Sequence, residues 1–158
     1  VSRASLLTAI PSGDRILLDT TVLAAFLDAT DVTHPVAQHV LTELVATGRN
    51  PGVVSMITVM EILVRPMRAT PSGQYTVLAF LRSHPNLDCV PIDLQIAKEA
   101  AHLRADKRFA PPDALVVGTA LAAQVRHVVT NDHEWSTKLA AMSSRLNVVQ
   151  ASSHLPFP

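Results

Sequence analysis

Five short strand-like runs, alternating with helical patterns, constrain this chain more than any other feature. The runs are Arg15 to Leu18, Gly52 to Val54, Cys89 to Ile92, His127 to Thr130 and Leu146 to Val149. Pro91 removes a backbone donor from the third and demotes it toward a sheet edge. Helices are expected over 20–28, 34–47, 56–64, 74–82, 93–107 and 112–125, with another beginning near Asn131. Val36, Val40, Leu41, Leu44 and Val45 carry the amphipathic spacing of the second, which Gly48 closes. Pro66 should stop the third, and the PSG turn at Pro71 precedes the fourth. Strands alternating with helices imply βα units and a mostly parallel sheet covered on both faces. The expected class is α/β.

Bulk properties narrow the function. A chain of 158 residues suits a single domain spanning 1–158 with a real core. Thirteen basic and thirteen acidic side chains cancel, which argues against a general polyanion coat and leaves room only for a local basic groove. The single Cys89 permits no intramolecular disulfide and fits a reducing compartment. No apolar run approaches the ~20 residues of a membrane span. ASLLTAI is too short to read as a signal peptide. A cytoplasmic location without membrane contact is expected.

Within ILLDTTVLAAFL a lone carboxylate, Asp19, stands among apolar residues at a strand-to-helix junction. An N-cap would explain it locally. Asp113 in APPDALVVGTAL suits the first turn of a helix opened by proline, and Asn131 or Asp132 in VVTNDHEW suits another cap. Glu61 in SMITVMEILVRP fits less well. Thr58 and Glu61 have capping-box spacing, and Glu61 and Arg65 have ion-pair spacing. Yet if Ser55 caps that helix, Glu61 lies beyond its first turn. Ligands in open parallel sheets bind outside the carboxyl ends of the strands. If the strands leading to Asp19, Glu61 and Asp132 are neighbours, all four acids converge on one crevice. Clustered carboxylates repel one another unless a cation neutralises them. A hard divalent ion such as Mg²⁺ answers that need, with metal-activated water attacking a phosphodiester as the chemistry.

LLDTTVLAAFL, SMITVME, PPDALVVGTAL and VTNDHEW, in that order, resemble the motifs of PIN-domain ribonucleases, most closely the compact VapC-type toxins of bacterial toxin–antitoxin pairs. The resemblance covers roughly Ile16 to Val149. It implies a three-layer α/β/α sandwich with a mostly parallel central sheet. It also implies a Mg²⁺- or Mn²⁺-dependent endoribonuclease that cleaves structured RNA, such as a tRNA or rRNA loop. A cognate antitoxin and a homodimer are the implied partners. By motif position Asp19, Glu61, Asp113 and Asp132 would be catalytic, with Asp19, Asp113 and Asp132 holding the metal. Thr20 and Thr130 would support them. Two features depart from the pattern: Trp135 stands where Phe is frequent, and no further acid follows Asp113 inside its helix.

Other chemistries find less support. Seven histidines form no HExxH, and no cysteine pair completes a zinc site. No dinucleotide fingerprint, P-loop or GxSxG elbow is present. Asp19-Thr20-Thr21 lacks the second Asp of a DxD phosphatase. Cys89 reads as a packed thiol and His133 as a surface residue. Arg65, Arg68, Arg104, Lys107 and Arg108 are candidates for an RNA-contacting rim or a solvated face. The rival from another class is a catalytically silent α/β binding module whose acids only cap helices.

Overall fold

The structure is a computed structural model that describes residues 3–70 and 72–157. Helix α1 (Arg3–Ala9) precedes strand β1 (Ile16–Leu18) and helix α2 (Thr20–Leu27). Next come α3 (His34–His39), β2 (Gly52–Ser55), α4 (Met56–Ala69) and α5 (Gly73–Ser83). Strand β3 (Leu87–Val90), α6 (Leu94–Lys107) and α7 (Pro111–Ala122) follow, then β4 (His127–Thr130), α8 (His133–Lys138) and β5 (Asn147–Gln150).

All strand pairs are parallel, in the order β3-β2-β1-β4-β5. From central β1 the chain builds outward through β2 to β3, then crosses back to β4. The gap above β1 and β4 is therefore the topological switch point, where such sheets bind ligands. Strand alternation feeds two cores. Ile16, Leu18, Val54, Val129 and Val149 join the layer of α1 to α5, while Leu17, Val53 and Val128 join that of α6 to α8. Both faces are thus covered, as a parallel sheet requires. Gly118 permits the close pairing of α6 and α7: a Cβ there would sit 3.0 Å from the Ile96 carbonyl and 3.1 Å from the Ala100 amide.

Several boundaries differ from expectation for local reasons. The helix begun at His34 loosens into a π-helical stretch over Val40–Val45, where the Ala46 amide donates to the Leu41 carbonyl at 2.9 Å. Gly48, at φ 76°, follows it as expected. Pro66 does not stop α4. Proline forfeits one helical hydrogen bond, but packing against α2 and α5 holds the last turn, and the Thr70 amide donates to the Pro66 carbonyl at 3.1 Å. Strand β3 is the edge foreseen, shifted two residues so that Pro91 falls outside it. Helix α1 was not foreseen. Its Leu6 is fully buried, while Ser5 Oγ lies 2.7 Å from His154 Nδ1. No helix among the described residues is long and apolar enough to cross a membrane.

Candidate active site

The strands leading to Asp19, Glu61 and Asp132 are neighbours, so the condition for convergence is met. Asp19 follows β1 and is 5% exposed. Its amide donates to the Val129 carbonyl of β4 at 3.1 Å, which ties the acid to the switch point. Its Oδ2 accepts from the Thr21 amide (3.4 Å), the Thr21 hydroxyl (2.9 Å) and the Thr130 hydroxyl (2.8 Å). Among the described residues no donor reaches Oδ1, which is left for a ligand.

Thr130 closes β4 and is fully buried. Its hydroxyl donates to Asp19 and accepts from the Asp132 amide at 2.9 Å, so one side chain spaces two acids. Asp132 caps α8 by accepting from the Glu134 amide at 2.8 Å. Its carbonyl accepts from Gln150 Nε2 at 2.7 Å. Glu61 lies in the second turn of α4, which Ser55 caps, so the alternative capping box at Thr58 does not form. The Thr20 hydroxyl donates to Glu61 Oε2. Arg65 does not pair with Glu61 either; it reaches Asp28 at 3.5 Å.

Asp113 occupies the first turn of α7, after Pro111 and Pro112. Burial, followed by the charges of Asp132, Asp19 and Glu61, raises its carboxyl above the ordinary carboxylate range; Lys138 opposes them weakly. The charges of Asp132, Asp19 and Glu61 therefore all bear on Asp113. Lys138 is not free to neutralise them, because its ammonium holds Glu134 at 2.7 Å and lies 5.1 Å from the centre of the Phe109 ring.

The donors are carboxylate and hydroxyl oxygens, the set a hard cation prefers. Among the described residues no group of three or more His, Cys, Asp or Glu side chains closes to metal-binding spacing. A small divalent ion that keeps part of its water shell suits such an open acidic set, since water bridges the remaining gaps. The repulsion that its neighbours exert on Asp113 is what such an ion would relieve. The residues fit.

Thr21 and Asn131, not assigned to the site from sequence, belong to this network; Asp132 rather than Asn131 is the helix cap. Thr21 donates to Asp19 and accepts from the Asn131 amide at 2.9 Å. Asn131 accepts from the Ser152 amide (3.0 Å) and donates from Nδ2 to Thr33 Oγ1 (3.0 Å). The signal was the pair of hydroxyls after Asp19 in an otherwise apolar helix. Trp135, at the departure from the motif, is buried edge-on against Phe109 at 6.1 Å with its indole N–H unpartnered. A phenyl ring there would lose no hydrogen bond. Of the five rim candidates, Arg65 is paired as described, while Arg68, Arg104 and Arg108 are exposed; Lys107 is half-buried and lines a cavity beside α6.

Comparison with known proteins agrees with this architecture. The chain is similar to a toxin–antitoxin complex from Klebsiella pneumoniae (TM-score 0.65, 20% identity, covering 86% of this chain and 97% of that one). It is similar to FitAcB from Neisseria gonorrhoeae (TM-score 0.65, 20% identity, 87% and 98%). It is also similar to VapC20 of Mycobacterium tuberculosis, described as a Sarcin-Ricin loop cleaving toxin (TM-score 0.61, 18% identity, 77% and 93%). No curated protein matches the sequence. The PIN domain model matches residues 16–138, from β1 through the last residue of α8, and the chain therefore belongs to the PIN-domain family.

Proposed function

We propose that this protein is a divalent-metal-dependent endoribonuclease of the VapC toxin kind, acting on an exposed loop of structured RNA such as a tRNA or rRNA. The observation that carries the proposal is the condition of Asp113. Burial and then three neighbouring carboxylates press its proton affinity upward, and among the described residues the ammonium that opposes them, Lys138, is also held by Glu134. A helix cap needs no such crowding. Asp19 and Asp132 do cap helices, which is what a silent binding module would show. Glu61 and Asp113 cap nothing: the first lies beyond the opening turn, and no hydrogen bond to a helix amide is described for the second.

Asp19, Asp113 and Asp132 would hold the ion, Mg²⁺ or Mn²⁺, and Glu61 would complete the acidic site. When bound, such an ion neutralises a phosphate oxygen and lowers the pKa of water. This chain contributes the positioning. Thr130 and Thr21 hold Asp19 through Oδ2, and Thr20 holds Glu61. An acidic site at the strand ends would suit an unpaired loop, whose backbone can bend into it, better than an A-form duplex. With the formal charge at zero, affinity for generic RNA should be weak, with a salt dependence equivalent to about two to four phosphates.

Two partners accompany this reading. A groove of 530 Å³ between α2, α4 and α5 is lined by Ala24, Leu27, Ile62 and Val77, and it reaches Thr20 and Glu61. An antitoxin segment with an apolar face and a basic residue directed at Glu61 would close the site. Met56, Met60, Val64 and Met67 form an exposed stripe on α4, the face we assign to a homodimer. Helix α7, equally apolar in sequence, is buried within the fold and needs no partner. Mn²⁺ should raise the thermal midpoint of the wild type, and Asp19→Asn should lose both that shift and hairpin cleavage. A wild type indifferent to Mn²⁺, or an active Asp19→Asn variant, overturns the reading in favour of the silent module.

A further inference from the structure

Two contiguous cavities lie away from the acidic crevice. One, of 230 Å³, is lined by Leu121, Gln124, Val125, Arg126 and Arg145. Its neighbour, of 370 Å³, shares Leu121 and Arg145 and adds Lys98, His102 and Lys107 among other residues. Arg126 immediately precedes β4 and Arg145 lies just before β5, so the trough starts at the amino ends of the strands. It ends at Lys107, the last residue of α6. Two residues on, Phe109 packs against Trp135 and underlies Lys138, whose charge bears on Asp113. The trough thus runs from the far end of the sheet toward the acidic site.

Its charge does little within the fold beyond the bond that Arg126 donates to the Ser144 carbonyl. Lys98, Lys107, Arg126 and Arg145 face only two carboxylates, Glu99 and Asp106, along the trough. Among the described residues none of the four forms an ion pair, whereas Arg15, Arg65 and Lys138 all do. In a chain of zero formal charge this is a local excess. A protein partner would need an apolar anchor, since interface centres are depleted in charge; here Leu121 and Met142 lie among charged groups. A single strand would need rings on which bases stack, and the lining offers only His102. What remains is contact with phosphates, which positions a nucleic acid without reading its sequence.

We infer that this trough holds the phosphate backbone of the paired stem adjoining the cleaved loop. The inference rests on the ribonuclease reading and extends it: the acidic crevice selects the loop, and the cationic trough selects for a stem beside it. The test uses the intact protein, an RNA hairpin, and the same loop as a free single strand. Hairpin binding is measured by fluorescence anisotropy across a salt series in EDTA, which stops cleavage. Cleavage of both RNAs is then measured with Mn²⁺.

In the Arg126→Gln/Arg145→Gln variant the salt slope for the hairpin should fall by about 1.5, the loss of two phosphate contacts. The hairpin KM should rise roughly five- to tenfold with kcat unchanged. Cleavage of the single strand should not change. Arg126→Lys/Arg145→Lys should restore wild-type binding, because a point charge serves a phosphate. That rescue separates charge from the bond Arg126 donates to the Ser144 carbonyl at 3.3 Å. Unchanged hairpin affinity and slope overturn the inference, as do equal losses on hairpin and single strand. A wild type that binds hairpins through the trough yet cleaves no RNA would instead break the nuclease reading and leave the trough standing.

Discussion

The two ends of the central strands both carry buried polar groups, and they treat charge in opposite ways. Toward the amino end two described acids have partners from their own chain. Asp14 lies 2.8 Å from His127 Nε2, and Asp88 lies 3.5 Å from Arg15. Asn50, fully buried, donates to the carbonyls of Pro11 (2.7 Å) and Asp14 (2.9 Å) and accepts from Arg49. At the carboxyl end the charges of Asp132, Asp19 and Glu61 bear on Asp113, and the ammonium that opposes them is committed to Glu134. Groups that serve the fold find partners within it. A set left with one sign of charge is waiting for something from outside.

The sharpest break of that comparison is Asp19→Asn. Asparagine caps a helix as well as aspartate, so the fold should survive while Mn²⁺-dependent cleavage falls by roughly a thousandfold or more. Single-turnover kinetics read it, and retained activity makes the two ends equivalent. Next in size is Thr130→Val, which keeps the shape and removes both the bond to Asp19 and that from the Asp132 amide. Activity should drop about 10- to 100-fold, the usual cost of losing a residue that orients a metal ligand. Thr21→Val should behave alike; a silent Thr21→Val would remove that residue from the site.

Asp14→Ala probes the other end. It strands the buried His127 ring nitrogen, so denaturant unfolding should show about 1 to 3 kcal/mol of lost stability, with kcat per folded molecule unchanged. Activity that falls more than the folded fraction would join the two ends functionally. The smallest effect is Asp113→Asn in EDTA. The folded carboxyl holds its proton more tightly than the unfolded one, so the wild type loses stability as pH rises from below 3.8 through the raised folded value. The variant lacks that loss and should melt higher at neutral pH, with the advantage shrinking toward pH 4. Thermal midpoints from pH 4 to 8 check the sign, and a constant difference would mean the acids do not crowd.

Much of this site was legible one motif at a time. Asp19, Asp113 and Asp132 each sit at a strand-to-helix or loop-to-helix junction, and such junctions carry local signals: caps, an opening proline, a change of period. Thr130 could be named by position but not its double bond, because that depends on β4 lying beside β1. The pair of hydroxyls after Asp19 hinted at Thr21, but its role was not legible for the same reason, since its second partner is 110 residues away in the chain. The pairing of Arg65 with Asp28 shows the converse error. Spacing offered Glu61 as a partner within α4, and the packing of α2 against α4 supplied another.

What the sequence determined by itself is most of the inventory: which runs are strands and, apart from α1, which are helices, that the sheet is mostly parallel, and which residues carry removable protons. Hydrophobic period and capping act over a few residues, so a chain read in order reveals them. Only the tertiary structure decided strand order, and with it the convergence of the acids and the gathering of Lys98, Lys107, Arg126 and Arg145 along one trough. Charges interact through space, in proportion to proximity and burial. That proximity arises only once β1 lies between β2 and β4.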